Sequence, residues 1–248
     1  LLITNYHVIS QFALEPDRYR LRFSTTDGLE GPLELIDIDV RHDLALLRLP
    51  RNSPANRGVL HFRPASTPLT KGERIYSMGN PRDVTFAVVE GNFNGLVERS
   101  FDPLIYYAGS INPGMSGGPV VDDDGRVVGI NVSAMIFAEQ MSFLVPAANA
   151  QALLQRSAHK TQALATPVWP SITQQVLAYQ NDLTQRFLAQ PWRDGGHERY
   201  KLPVPQEQFM RCWGGNTASE SKGIKTESTR CRMEHNLFVR DSLRVGYL

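Results

Sequence analysis

The sequence predicts an all-β fold built as a barrel over residues 1–145, and three observations carry that prediction. Short apolar and β-branched segments recur along this stretch with Gly, Asn and Asp between them, which is the pattern of many short strands. Residues 122–125, Asp-Asp-Asp-Gly, stand between two valine-rich segments and predict a tight hairpin. Just before that hairpin, residues 114–119 place one serine among glycines. A serine in such a turn is the residue type that acyl-transfer chemistry uses as a nucleophile.

Ahead of the hairpin, the predicted strands are separated by recognisable turns. They cover residues 1–3, 20–23, 33–40, 84–89, 95–97 and 104–108. A Gly-Asn-Phe-Asn connection is expected between the fourth and the fifth of them. Asp37 and Asp39 alternate with apolar residues, so we interpret them as the solvated face of their strand.

Two helices are predicted after the strands. Residues 146–159 place Ala150, Leu153 and Leu154 on one face. Residues 171–190 begin with a capping box and carry an apolar stripe, Ile172, Val176, Tyr179, Leu183 and Phe187. The stripe predicts docking onto the rest of the chain, with a partner or oligomer contact as the alternative. Two prolines within residues 161–170 predict a linker between the helices.

Bulk composition excludes several classes. The 248 residues are 42% hydrophobic and 21% charged, which is ordinary for a globular protein. The net charge is +1 and no basic block occurs, which argues against nucleic acid as a partner. No run of 18 apolar residues is present, so the sequence predicts no membrane span. Both ends fall in strand-like sequence, and we expect a fragment of a longer chain.

A histidine and an aspartate occur in settings that could activate Ser116. His7 stands at the end of the first apolar run, and Asp43 stands at the start of another apolar strand. A serine hydroxyl needs a base, and the base needs a carboxylate that fixes its tautomer. The chain order His7, Asp43, Ser116 is that of the chymotrypsin-type fold, whereas subtilisin-like and α/β-hydrolase chains use other orders. We interpret His42 as a solvent-facing neighbour of Asp43.

These segments make residues 1–156 resemble the trypsin-like serine proteases of the HtrA (DegP/DegS) group. The resemblance rests on five pieces in the group's order, TNYHVI, HDLALLRL, GERIYSMGNP, SINPGMSGGPVVDDDGRVVGINVS and MSFLVPAANAQALL. It implies a chymotrypsin/trypsin-like double β-barrel, with a first barrel that we expect to be incomplete at the N-terminus. A C-terminal helix and a small mixed α+β extension would follow. The expected domains are a protease domain at 1–160, a linker at 161–170 and an extension at 171–248.

The resemblance also implies roles for individual residues. His7, Asp43 and Ser116 would form the catalytic triad, and the backbone N–H groups of Gly114 and Ser116 would form the oxyanion hole. Met115 replaces the Asn or Asp common at its position, and we expect it to alter substrate contact. The implied specificity pocket consists of Ser110, Asn131, Val132 and Ser133. Because none of these is a carboxylate, we expect a small neutral pocket that accepts small aliphatic residues.

The function that follows is a serine endopeptidase acting on unfolded or exposed protein segments, in the manner of protein quality control. It needs no metal and no organic cofactor, its partners are protein or peptide substrates, and a homo-oligomer fits the group. The alternative is a non-catalytic peptide-binding or chaperone-like module on a protease fold. The PDZ domain common in the group has no recognisable counterpart in residues 191–248, so PDZ-driven regulation is not carried over.

Cys212 and Cys231 predict one disulfide and an oxidising compartment, so we expect a periplasmic or secreted protein. Two alternatives remain open, a zinc site that also uses His235 and His197, and a pair of free thiols. Because the two cysteines lie far along the chain from His7, Asp43 and Ser116, we expect the bridge to stabilise the extension with little effect on catalysis.

Overall fold

The structure, a computed structural model, describes residues 1–51, 53, 58–81, 85–134, 141–196, 199–205, 209–217, 226–233 and 237–245. Its elements in chain order are β1 (Leu2–Thr4), α1 (Tyr6–Leu14), β2 (Arg22–Ser24), β3 (Glu30–Pro32), β4 (Glu34–Asp39), β5 (Leu44–Arg48), β6 (Arg74–Gly79), β7 (Ala87–Leu96), β8 (Ile105–Ala108), β9 (Pro119–Val121), β10 (Val127–Ala134), β11 (Ser142–Pro146), α2 (Ala147–Arg156), α3 (Trp169–Ala189), β12 (Trp192–Asp194), β13 (Pro203–Pro205), β14 (Arg211–Asn216), β15 (Glu227–Arg232), β16 (Leu237–Arg240) and β17 (Leu243–Val245).

A closed six-stranded barrel forms the middle of the chain. Its strands run in the order β10, β11, β8, β7, β6, β9, and every neighbouring pair is antiparallel. Buried apolar side chains fill the interior, among them Ile75, Tyr107, Val120 and Leu144. The hairpin predicted at residues 122–125 joins β9 to β10. The segment at 87–96 is one continuous strand, whereas the sequence analysis expected a break at Gly-Asn-Phe-Asn.

The N-terminal half is an open sheet. Strands β1, β5 and β4 form it, and the hairpin of β2 and β3 is separate. Its core contains Tyr6, Ile9 and Ala13 of α1, Ile172 of α3 and Val239 of β16. The double-barrel class is confirmed, with the first half reduced to this open sheet among the described residues. Helix α1 was missed because its apolar spacing was treated as the end of a strand, although Tyr6, Ile9 and Ala13 follow a helical period.

Both predicted helices are present, as α2 and α3, and the apolar stripe of α3 docks onto the rest of the chain. Ile172 packs into the N-terminal core, while Tyr179 and Leu183 pack against the extension. The segment at 161–170 is hydrogen-bonded to the rest of the protein. The Leu164 N–H donates to the Leu35 carbonyl at 2.7 Å, and the Val168 N–H donates to the Ala13 carbonyl at 3.0 Å. The predicted linker therefore packs on the open sheet.

The described residues of the extension form α3 and three hairpins, β12–β13, β14–β15 and β16–β17. Cys212 and Cys231 face each other across β14 and β15 with Cα atoms 4.0 Å apart, and their sulfur atoms are bonded. His197 and His235, which the zinc alternative would use, lie outside the described residues. In the described part of the chain, no cluster of His, Cys, Asp or Glu could hold a metal. None of the described helices has the length and apolarity that a membrane crossing requires.

The extension is also not remote from the predicted triad. The Tyr6 hydroxyl, beside His7, donates to the Val239 carbonyl at 3.0 Å. The rings of His7 and Phe238 meet edge to face with centroids 6.0 Å apart. Folding thus brings β16 into contact with the start of α1 across 233 positions of sequence, while the expectation that the bridge has little effect on catalysis stays a prediction.

Candidate active site

The carboxylate of Asp43 caps the helix that carries His7. Asn5 occupies the N-cap position of α1 without making a side-chain cap. Asp43 Oδ1 instead accepts a hydrogen bond from the His7 backbone N–H at 2.8 Å. The Asp43 carbonyl accepts two more, from Asn5 Nδ2 at 2.9 Å and from the Tyr6 N–H at 3.1 Å. Because a helix N-terminus favours a negative charge, the start of α1 and the carboxylate stabilise each other.

The imidazole of His7 is held by the same carboxylate. His7 Nδ1 and Asp43 Oδ2 are 2.5 Å apart, and the two side chains are 29% and 18% exposed. A bond at Nδ1 leaves Nε2 as the nitrogen that can exchange a proton, which is the orientation a general base requires. His7 is the second residue of α1, whereas the sequence analysis placed it at the end of a strand, and Asp43 directly precedes β5 as expected.

The loop of Ser116 lies against the segment that leads into His7. Gly117 adopts a φ of 80°, and a Cβ added there would lie 2.2 Å from Thr4 Oγ1 and 2.9 Å from the Asn5 nitrogen. Only glycine allows so close an approach in that conformation. The junction of β1 and α1 is thus in direct contact with the residue that follows Ser116.

Ser116 itself is half-buried. Within the described residues, no hydrogen bond joins its hydroxyl to His7. Such bonds are often long before substrate binds. Contact between the open sheet and the barrel runs through Gly117 at the loop and through a shared buried cluster that includes Leu44, Leu46, Val121 and Ile130. The N–H groups of Ser116 and Gly114 have no protein acceptor in the same described part of the chain, and Gly114 adopts a φ of 98°. Two N–H groups in these positions are the donors that the predicted oxyanion hole needs.

Asn131 fixes the nucleophile loop to the barrel. The sequence analysis placed it in the wall of the specificity pocket, but the side chain is fully buried. Its Oδ1 accepts from Ser77 Oγ at 2.9 Å, and its Nδ2 donates to the carbonyls of Met78 and Met115 at 3.0 and 3.1 Å. Its backbone carbonyl accepts from the Gly117 N–H at 3.0 Å. Asn131 therefore positions the loop, and sequence pattern alone gave no sign of that role.

The other predicted pocket residues differ in exposure. Ser110 is exposed after β8, while Val132 is half-buried and lines a cavity beside His7. Ser133 lies in β10, and its side chain is outside the described set. Met115 is fully buried in the barrel core beside Gly79, so the expectation that it contacts substrate is wrong. The space beneath the loop is closed, and an apolar side chain fills it.

Asp37 and Asp39 are buried, which corrects their assignment to a solvated face. Burial alone would raise the pKa of Asp37, but hydrogen bonds from Lys160 and Ser157 and the charge of Arg156 lower it below its ordinary value. Burial would raise the pKa of Asp39 too, but hydrogen bonds from His42 and the charge of Arg156 together lower it below its ordinary value. His42 Nδ1 is 3.0 Å from Asp39 Oδ2 with 22% of the side chain exposed, so it is not solvent-facing. Neither carboxylate competes with Asp43 for His7.

A cavity of about 410 Å³ opens beside His7 and Asp43. Val40, Leu104, Val132 and Val145 supply apolar walls from the protease half, and Phe238 and Arg244 supply a wall from the extension. The sequence analysis did not anticipate the contribution of the last two, because nothing local in residues 237–245 indicates where that hairpin docks.

Comparison with known proteins shows the family and the fold of the chain. The family model described as a trypsin-like peptidase domain matches residues 1–130. The probable periplasmic serine endoprotease DegP-like of Pseudomonas fulva (strain 12-X) is 33% identical over 147 residues, covering 58% of this chain and 28% of that protein. Human serine protease HTRA3 is 32% identical over 155 residues, covering 59% of this chain and 33% of that protein. The chain thus spans about a third of the length of these curated relatives.

Solved structures share the fold. The serine endoprotease from Yersinia pestis has a TM-score of 0.51 at 25% identity, covering 62% of this chain and 52% of that one. The Rv3671c protease from M. tuberculosis in its active form has a TM-score of 0.55 at 21% identity, covering 66% and 71%. The HtrA-type protease AlgW with a decapeptide has a TM-score of 0.54 at 24% identity, covering 63% and 47%. The resemblance to the HtrA group is confirmed.

Proposed function

The chain belongs to the trypsin-like peptidase family, and on that premise we propose that it is a serine endopeptidase that uses Ser116, His7 and Asp43. The observation that carries the proposal is the bond of His7 Nδ1 to Asp43 Oδ2 at 2.5 Å, in a helix start that contacts the residue next to Ser116. Asp43 orients the imidazole and stabilises the imidazolium that forms when His7 takes a proton.

The reaction runs in two stages. His7 Nε2 accepts the Ser116 proton while Ser116 Oγ attacks the scissile carbonyl, and the N–H groups of Gly114 and Ser116 hold the oxyanion. His7 then gives the proton to the leaving amine, which departs and leaves an acyl-enzyme. Water, activated by His7, hydrolyses the ester and restores Ser116. The nucleophile, the base and the oxyanion donors in these steps all belong to the chain itself.

The substrates we propose are unfolded or exposed protein segments, with a small aliphatic residue before the scissile bond. The neutral character of Ser110 and Val132 supports that preference, since neither supplies a carboxylate for a basic side chain. A periplasmic or secreted location is supported by the names of two DegP-like relatives, whereas other relatives are named mitochondrial or chloroplastic. Quality control of damaged proteins and assembly into a homo-oligomer belong to the same proposal.

The decisive experiment is labelling with a fluorophosphonate probe together with a casein cleavage assay. The parent chain is expected to label and cleave, and Ser116→Ala is expected to do neither while keeping its fold. Loss of a triad member typically costs about 10⁴–10⁶ in turnover. Ser24→Ala, at an exposed serine of β2, is the matched control and should behave as the parent. Binding of unfolded casein without labelling or cleavage would favour the peptide-binding module instead.

A further inference from the structure

The cavity beside His7 is built from two parts of the chain that are distant in sequence. One wall comes from the protease half, where Val40, Leu104 and Val132 are apolar. The other comes from hairpin β16–β17, which supplies Phe238 and Arg244. A cavity of about 410 Å³ falls in the range of sites that enclose organic groups. It is therefore large enough for a bulky side chain.

The hairpin is held firmly at this position. The Tyr6 hydroxyl donates to the Val239 carbonyl at 3.0 Å, and Arg240 forms an ion pair with Glu15, the C-cap residue of α1. The Phe238 ring packs edge to face against both His7 and Tyr6, with centroids 6.0 and 6.2 Å away. The Arg244 guanidinium carbon lies over the Phe238 ring, 5.3 Å from its centroid. These contacts fix the orientation of Phe238 relative to His7.

The acidic groups of the cavity are already engaged. Asp43 accepts two hydrogen bonds from His7, and Asp102 accepts a bidentate pair from Arg41 at 2.6–3.0 Å. Polar side chains also line the cavity, among them Arg41, His42 and Asn149. The valine and leucine walls and the Phe238 ring form the apolar part of the lining, and an apolar group would pack there.

Catalysis by Ser116 and His7 would bring substrate to this cavity. The scissile carbonyl must lie between Ser116 Oγ and His7, so residues next to it lie within a few ångströms of the imidazole. An extended peptide advances about 3.3 Å per residue and alternates the faces of its side chains. One side chain within three residues of the scissile bond can therefore enter a cavity that opens at His7.

We propose that the hairpin β16–β17 forms part of a substrate subsite for a large apolar side chain, aliphatic or aromatic, and that Phe238 is its specificity-determining residue. The inference rests on the proposed function, because it takes the peptide to be bound at Ser116 and His7. It makes the extension a component of substrate recognition.

The test uses binding, so it does not depend on turnover. Fluorescein-labelled twelve-residue peptides of Ala and Ser carry a single Leu at each position in turn, and anisotropy gives their affinity for the full chain with Ser116→Ala. Leu at one position is expected to tighten binding about tenfold, which corresponds to burying most of its side chain. Adding Phe238→Ala should remove that gain and leave the other positions unchanged.

Two further variants keep the result interpretable. Phe238→Leu retains an apolar side chain and should keep most of the gain, while Leu243→Ala removes an exposed apolar side chain of the same hairpin that does not line the cavity. A position profile that Phe238→Ala leaves intact, an equal loss at all positions, or no binding by any peptide would overturn the subsite. A position-dependent gain in a parent chain that neither labels nor cleaves would overturn the proposed function and leave the subsite standing.

Discussion

The two halves of the candidate active site are held in place by different means. Ser116 belongs to the closed barrel, where Gly117 and Gly118 exchange backbone hydrogen bonds with Asn131 at 3.0 and 2.9 Å. The hydrogen bonds that shape the loop come from within it and from Asn131 of β10, while Gly117 also contacts Thr4 and Asn5 on the side of α1. His7 and Asp43 lie on an open three-stranded sheet, whose core is completed by α3 and by Val239 of β16.

This difference indicates that the nucleophile half, around Ser116, can be shaped by residues close to it in sequence. The base half, around His7 and Asp43, depends on residues near the C-terminal end of the chain. The bond from Tyr6 to Val239 spans 233 positions, and closing contacts of that length costs more chain entropy than closing a hairpin. The extension therefore acts as part of the protease fold, although its sequence does not resemble one.

Asp43→Asn should produce the largest loss of activity, and it changes a residue of the base half only. The amide would hold the wrong tautomer of His7, so we expect kcat to fall about 10⁴-fold with the barrel intact. Steady-state cleavage measures the loss, and Asp17→Asn, an exposed aspartate after α1, is the matched control. A fall of less than tenfold would mean that Asp43 does not orient the base.

Removing the bridge between Cys212 and Cys231 tests how far the extension stabilises the base half. The two cysteines are 19 positions apart, and closing a loop of that size stabilises by about 3 kcal/mol in the chain-entropy model. We expect the double variant Cys212→Ser/Cys231→Ser to unfold at lower denaturant, with kcat nearly unchanged at low temperature. Thiol titration of the unreduced, denatured parent is the direct check, and two free thiols per chain would refute the bridge.

Local patterns sufficed for the barrel and for the identity of the three catalytic candidates. Residues 122–125 predict their hairpin because Asp122 and Gly125 have strong turn preferences, and Ser116 stands out because glycines surround it. Helix α1 could also have been found, from the spacing of Tyr6, Ile9 and Ala13. Those signals are local, so a single sequence is enough to read them.

The remaining features depend on tertiary contacts that no local pattern encodes. Asp37 has the alternation of a solvated strand face, yet it is buried because Arg156 and Lys160 arrive from α2 and the turn after it. Met115 is predicted by its position to contact substrate, yet its side chain is fully buried in the barrel interior. No local sequence pattern marks Phe238, since its place in the cavity beside His7 follows from where the hairpin β16–β17 docks.

Gly117→Ala tests the contact between the halves. The added Cβ would meet Thr4 Oγ1 at 2.2 Å, with backbone atoms of Thr4 and Asn5 at 2.9 Å, so the loop must move away from α1. A displacement of about 1 Å costs roughly 10²-fold in turnover, and we expect a loss of that order with a smaller effect on stability. Gly125→Ala is the control, because it also has a positive φ but lies in open space. Equal activity of the two variants would contradict a close fit between the halves.

Acid should weaken the base half, and Asp37 supplies one reason. Because its pKa in the folded state lies below the ordinary 3.8, its stabilisation is present above pH 3.8 and is lost as the pH falls through the folded value. We expect Asp37→Asn to lower the free energy of unfolding by about 1.5 kcal/mol at pH 7, since Arg156 and Lys160 are partly solvated. Urea titrations at pH 7 and pH 2.5 measure this, and a difference from the parent that persists undiminished at pH 2.5 would contradict it.

Tyr6→Phe and Tyr107→Phe form the finest comparison of the two halves. Each removes a hydroxyl from a fully buried ring, and each hydroxyl donates to a backbone carbonyl, of Val239 at 3.0 Å in the base half and of Val89 at 2.6 Å in the barrel. A hydrogen bond of this kind contributes about 1 kcal/mol, so both should lower overall stability by that amount. Hydrogen exchange separates them: Tyr6→Phe should raise exchange in α1 and β16 and leave β9 and β10 protected, because the barrel is closed without the extension. Tyr107→Phe should raise exchange in β7 and β8. If Tyr6→Phe deprotected the barrel to the same degree as α1, the two halves would open as one unit, and the independence inferred from the closed barrel would be wrong.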